Sequence, residues 1–98
     1  SFPDDVSTPE LSIEVDDAEK VRIMDRLARN AVFSGGSMST IDGVRADFPD
    51  GWGLVRGSNS TSKLVFRFEA DNEPALMRIQ ENFKQQLLSI DSSLRFPF

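Results

Sequence analysis

A chain of 98 residues with a formal charge of −5 has room for one domain and one modest hydrophobic core. It carries no cysteine and no histidine, which excludes disulfides, thiolate metal sites and every Ser-His-Asp or Cys-His catalytic unit. The acidic balance argues against a general nucleic-acid surface, which needs positive charge to displace counterions, and no apolar run approaches membrane-spanning length.

A hydrophobic fraction of 39% with eight Phe residues suits a compact soluble fold. The missing cysteines fit a reducing compartment, so a cytoplasmic location is expected. The first residues, Ser1-Phe2-Pro3-Asp4-Asp5, do not resemble a signal peptide. The chain does not start with Met, which reads as a fragment of something longer.

Residues 1–9 are polar, contain two prolines, and read as a linker or arm ahead of a domain over 10–98. Leu11, Ile13 and Val15 alternate with Ser12, Glu14 and Asp16, the period of a half-buried strand. Asp16 then stands three residues before Glu19, a capping-box-like start. Val21, Met24, Leu27, Ala28 and Ala31 follow at helical spacing, predicting a helix over about 17–31 that ends before Gly35-Gly36. Phe33 is expected to tuck the helix exit into the core.

Val44, Ala46 and Phe48 alternate as a strand, with Asp42-Gly43 as a turn or bulge at its start. Pro49-Asp50-Gly51 is a turn signal that predicts a hairpin into the next strand, Trp52 to Arg56. A further strand is expected from Lys63 to Glu69. Asp71-Asn72-Glu73-Pro74 opens a last helix, since Pro is tolerated in a first turn. Leu76, Ile79, Phe83 and Leu87 mark its buried face, flanked by Met77 and Ile90. Pro97 falls in a short tail. The order β-α-β-β-β-α predicts an α+β two-layer sandwich: a four-stranded, mainly antiparallel sheet with two helices on one face.

Between the last two strands lies Arg56-Gly57-Ser58-Asn59-Ser60-Thr61. One guanidinium, three hydroxyls, an amide and a flexible glycine fill a single short connection. Arg offers a planar fork of donors matched to phosphate oxygens, and backbone N–H groups in a glycine turn can add more. By composition alone the commoner reading of such a segment is a polar hairpin connection.

The stretch from Asp42-Gly43-Val44-Arg45 through Gly51-Trp52-Gly53-Leu54-Val55-Arg56-Gly57-Ser58-Asn59-Ser60-Thr61 to Arg67-Phe68-Glu69-Ala70, continuing to Asp91-Ser92-Ser93-Leu94, resembles the C-terminal domain of the α-D-phosphohexomutases. The nearest group is the bacterial phosphomannomutase/phosphoglucomutases, and the resemblance covers most of the chain from about Leu11. It implies a TATA-binding-protein-like sandwich. It also implies one domain of an intramolecular phosphotransferase that interconverts hexose 6-phosphate and hexose 1-phosphate through a bisphosphorylated sugar. In that family the C-terminal domain holds the phosphate that is not reacting and closes the cleft.

Carried onto this chain, the resemblance implies that Arg56 pairs with the phosphate and that Ser58, Asn59 and Ser60 add hydrogen bonds. Thr61 is a weaker candidate of the same kind. Ser60 stands where Thr is usual, which keeps the hydroxyl. Ser62 stands where Pro is common, so a looser loop is expected. The family's phosphoserine loop, metal loop and sugar-selecting loop are absent from these residues. The expectation is therefore a fragment with no cofactor and no metal site of its own, inactive alone and monomeric, with Mg and a phosphoserine elsewhere in the full-length enzyme. Its partners would be glucose or mannose phosphates and the preceding domains of the same enzyme, with no nucleic acid and no membrane.

Other features have blander explanations. Arg45 and Lys63 could add positive charge near the loop but are more often surface residues. Trp52 suits packing better than substrate stacking, and Arg67 with Glu69 suits a structural pair on one sheet face. Asp4, Asp5, Glu10, Glu14, Asp16, Asp17 and Glu19 read as solvated surface and helix-start charge rather than a metal site. The Met24 and Phe83 stripes read as core. The alternatives of another class are a protein-interaction module and an RNA-binding sheet.

Overall fold

The computed structural model describes residues 4–98; of the expected arm, residues 1–3 lie outside the described part. The elements in chain order are β1 (Val6–Ser7), β2 (Leu11–Glu14), α1 (Asp17–Asn30), β3 (Ser37–Ser39), β4 (Val44–Phe48), β5 (Gly51–Gly57), β6 (Lys63–Ala70) and α2 (Glu73–Ile90). Every strand pairing is antiparallel. The sheet runs β3-β4-β5-β6, and β1 and β2 follow one another along the outer edge of β6. Both helices pack on one face, the two-layer α+β sandwich expected from the sequence.

The strand count is six rather than four. β3 contains Ser-Met-Ser and shows no apolar alternation; backbone pairing of Met38 with Ala46 defines it. β1 falls in the stretch read as an arm, where Val6 pairs with Ala70 and Ser7 with Glu69. Pro9 has no N–H to offer a ladder, and the edge strand is interrupted there. Thr8 spans the break: its N–H donates to Phe68 O at 3.0 Å, and its hydroxyl accepts from Phe68 N at 3.2 Å.

Asp16 caps α1 by accepting from Glu19 N at 2.8 Å, as the sequence predicts. The buried face of α1 is rotated from the predicted one. Ile23 and Leu27 are fully buried, whereas Val21 is 68% exposed. Lys20, Ile23, Met24 and Leu27 follow the i, i+3, i+4, i+7 spacing of one helical stripe, so Lys20 heads the inward face. Asn72 caps α2 by accepting from Ala75 N at 3.0 Å, with Pro74 in the first turn. Leu76, Ile79, Phe83 and Leu87 are buried as predicted, while Met77 is exposed.

Alternation along the central strands sends Val44, Ala46, Val55, Leu64, Phe66 and Phe68 toward the helices. Phe33 is buried against Phe83, with ring centroids 4.7 Å apart. The tail also enters the core: the Phe98 ring lies 5.3 Å from Phe66 and 5.1 Å from Phe68. Lys84 Nζ lies 5.5 Å from the Phe98 ring centroid, within cation–π range. The opposite face of the sheet is left uncovered by helices, and it carries Arg45, Trp52, Leu54, Arg56 and Arg67.

A candidate phosphate-binding loop

Because Val55 and Gly57 face the helices, Arg56 between them faces the open side of the sheet. It pairs with Val65, and Arg67 lies two residues further along β6 on the same face. The Arg56 side chain is 37% exposed, and its Nη2 lies 3.8 Å from Glu10 Oε1, a long contact between two solvated groups. Such a pair is weak and leaves the guanidinium accessible. Arg45 is more firmly engaged. Its Nε and Nη2 both donate to Asp47 at 3.0 Å, and its guanidinium lies 4.4 Å above the Trp52 ring centroid.

The connection 58–62 is a compact turn. Ser58 N donates to Lys63 O at 2.9 Å, and Lys63 N donates to Thr61 O at 3.0 Å. Ser58 Oγ accepts from Thr61 N at 3.3 Å and from Thr61 Oγ1 at 2.7 Å. The Thr61 hydroxyl proton is thus spent within the loop, while that of Ser58 stays available for a guest. Asn59 and Ser60 are exposed. Among the described residues, neither of their backbone N–H groups has an internal acceptor.

The loop is fastened from the helix side. Lys20 Nζ donates to Ser58 O at 2.7 Å and to Thr61 O at 3.0 Å, and lies 3.3 Å from Asp17 Oδ1. Ser62 Oγ donates to the same Asp17 oxygen at 2.9 Å. The Ser62 bond, reinforced by Lys20, holds the Asp17 carboxyl below its usual range. Ser62 is therefore itself a tether, and its side-chain bond offsets the looser loop expected at this position.

Gly57 makes this approach possible: a Cβ there would lie 2.9 Å from Lys20 Cγ. Gly43, at φ +81°, lets the connection ahead of β4 lie flat on Val55 O and the Arg56 backbone. Lys20, Met24, Gly43, Arg56, Ser58 and Asn59, together with Asp42, line an open cavity of about 480 Å³. A slightly larger one of about 530 Å³ lies between β2, the start of α1 and the tail. Glu14, Asp16, Glu19 and Asp91 line it beside Arg95, a charge balance that disfavours an anion.

Three site residues named from the sequence, Arg56, Ser58 and Asn59, meet around the first cavity. Ser60 sits at the exposed tip and Thr61 braces Ser58. Lys20 and Glu10 were not foreseen. The signal for Lys20 was its place at the head of the α1 stripe, obscured by reading Val21 into that stripe. Among the described residues, no group of three or more acidic side chains is placed to hold a metal ion, and no helix is long and apolar enough to cross a membrane. Phe66 and Phe68 face the helices, so Trp52, beneath Arg45, is the only ring that β4–β6 present on the open face.

Residues 10–86 match the family model of the phosphoglucomutase/phosphomannomutase C-terminal domain. The whole chain is 52% identical to a phosphomannomutase/phosphoglucomutase of Pseudomonas aeruginosa, of which it spans 21%. It is 48% identical over 86 residues to a phosphoglucomutase of Neisseria meningitidis, of which it spans 19%. A crystal structure of a phosphoglucomutase/phosphomannomutase family protein from Burkholderia thailandensis superimposes on 98% of this chain and 20% of that one, with a TM-score of 0.85 and 42% identity. The chain thus spans about a fifth of the length of these relatives. With the fold and the sequence in agreement, the chain belongs to the phosphoglucomutase/phosphomannomutase family, as its C-terminal domain.

Proposed function

We propose that the loop 56–61 binds the non-reacting phosphate of a phosphosugar, and that the domain closes over the substrate of a longer phosphohexomutase. Arg56 supplies the charged fork, Ser58 a hydroxyl, and Asn59 and Ser60 their backbone N–H groups with their side chains. Thr61 acts through Ser58. Arg67, on the same sheet face, adds positive potential. The observation that carries this reading is the convergence of unspent donors on one turn: two free N–H groups, one free hydroxyl proton and an accessible guanidinium.

The reaction proposed for the longer protein exchanges hexose 6-phosphate and hexose 1-phosphate through a bisphosphorylated sugar, with glucose or mannose phosphates as substrates. A phosphoserine and Mg would belong to the remainder of that protein. Binding energy at the idle phosphate can then position the reacting end. Closure removes water and strengthens each contact. Alone, the domain is inactive: no histidine or cysteine is present, and the one carboxylate beside a loop hydroxyl, Asp17 at Ser62, is tied up with Lys20 in fastening the loop.

An amide-shift titration of the domain with glucose 1-phosphate and with inorganic phosphate tests the assignment. An exposed loop that must offset the cost of association should bind at about millimolar Kd or weaker. Shifts confined to residues 56–63 are expected. Saturable shifts elsewhere, with these residues silent, would overturn it.

A further inference from the structure

Lys20 lies 38 residues from the nearer of its two loop contacts, yet its side chain is only 15% exposed. Its ammonium donates to Ser58 O at 2.7 Å and to Thr61 O at 3.0 Å, one carbonyl from each shoulder of the turn. Every peptide of the described chain is trans, and in a trans peptide the C=O and the following N–H point in opposite directions. Drawing Ser58 O toward α1 therefore turns the Asn59 N–H away from α1. The alkyl stem crosses Gly57, the one position of β5 beside the loop where no side chain obstructs it.

We propose that Lys20 is a positioning residue for the phosphate loop. By holding Ser58 O inward from the helix side, it presents the Asn59 N–H to the anion before any anion arrives, while its bond to Thr61 O fixes the far shoulder of the turn. Asp17 and Ser62 complete the fastening, the Asp17 carboxylate accepting a hydrogen bond from Ser62 Oγ and pairing with the Lys20 ammonium. A loop already in its binding shape loses less freedom on binding. Carbonyl oxygens turned inward also cannot repel the incoming dianion. The role rests on the phosphate reading of the loop.

The test compares the unaltered domain with Lys20→Met, Lys20→Arg and Lys63→Met, and uses two readouts. One is the backbone order of residues 58–62 without ligand, from amide relaxation and exchange. The other is the affinity for inorganic phosphate. Lys20→Met keeps the stem over Gly57 and removes the donors; Lys63→Met removes an equal charge from the loop exit without touching the fastening. Lys20→Met is expected to mobilise residues 58–62 and to weaken phosphate binding about tenfold. Lys63→Met should keep the loop ordered and weaken binding less, and Lys20→Arg should restore most of both.

Wild-type loop order and affinity in Lys20→Met would overturn the role, and so would equal weakening in Lys20→Met and Lys63→Met with the loop still ordered. Should Lys20→Met fail to fold, Lys20→Gln, which retains two donors on a shorter stem, gives the same discrimination through intermediate loop order. An unaltered domain that binds no phosphate refutes the phosphate reading itself, and this role with it.

Discussion

Arg56 and Gly57 are consecutive in β5 yet serve opposite faces of the sheet: the first carries a guanidinium to the open side, and the second clears a path for Lys20 on the helix side. The loop that follows is gripped from the helix side by Lys20, while the Arg56 guanidinium beside it stands on the open side. This division of labour makes the two sides separately testable.

Arg56→Ala removes the charged fork and leaves the core untouched. Hydrogen bonds to charged groups contribute about 1.5–3 kcal/mol. In the full-length enzyme kcat/KM should therefore fall by about ten- to a hundredfold, while the melting temperature of the domain stays within error. Steady-state kinetics beside a thermal melt decide it, and an unchanged kcat/KM removes Arg56 from the site.

Glu10 lies 3.8 Å from the Arg56 guanidinium and competes with any anion for it. Glu10→Gln should tighten phosphate binding, by about two- to fivefold, since exposed pairs contribute under about 1 kcal/mol. Titration of both proteins in low salt measures this, and the gain should shrink as salt rises.

Gly57→Val places a side chain where Lys20 Cγ would lie 2.9 Å from the new Cβ. The stem must swing aside and both carbonyl contacts are lost. Amide exchange at residues 58–62 should accelerate while α2 and β4 keep their protection.

The Asp17 carboxyl is held below the usual value of 3.8, first by the Ser62 hydroxyl and then by Lys20. A depressed folded-state pKa means the contribution is present above the unfolded value and is lost as pH falls through the folded one. The difference in melting temperature between the unaltered domain and Asp17→Asn should therefore be largest near neutral pH and vanish at pH well below 3.8. A difference that persists in strong acid contradicts the assignment.

Phe98→Ala strips a ring from the Phe66–Phe68–Phe96 cluster. Large-to-small changes at fully buried aromatic sites cost about 3–5 kcal/mol. Phe98 is only partly buried, so a smaller loss is expected, read from urea unfolding.

Much of this was written locally. The caps at Asp16 and Asn72, the α2 stripe and the turn at Pro49-Asp50 are decided by residues within one turn of each other, and local patterns report them faithfully. β1 and β3 escape such reading because backbone pairing with β6 and β4 defines them, not side-chain alternation. Val21 was misplaced because a β-branched apolar residue one position from Lys20 looks like core, whereas Ile23 and Leu27 set the true direction of the stripe. The donor-rich character of 56–61 was legible. The Lys20 fastening was not, because a contact across 38 residues leaves no periodic trace. The packing of Phe98 on Phe66 was hidden for the same reason.

β1 and β2 share β6 as their common rail, with Thr8 bolted to Phe68 between them. A torque applied at Pro9 would have to shear both ladders at once. If this domain swings as a rigid lid on the longer protein, its pivot therefore lies ahead of Val6, and the whole segment from Val6 to Glu14 travels with the lid.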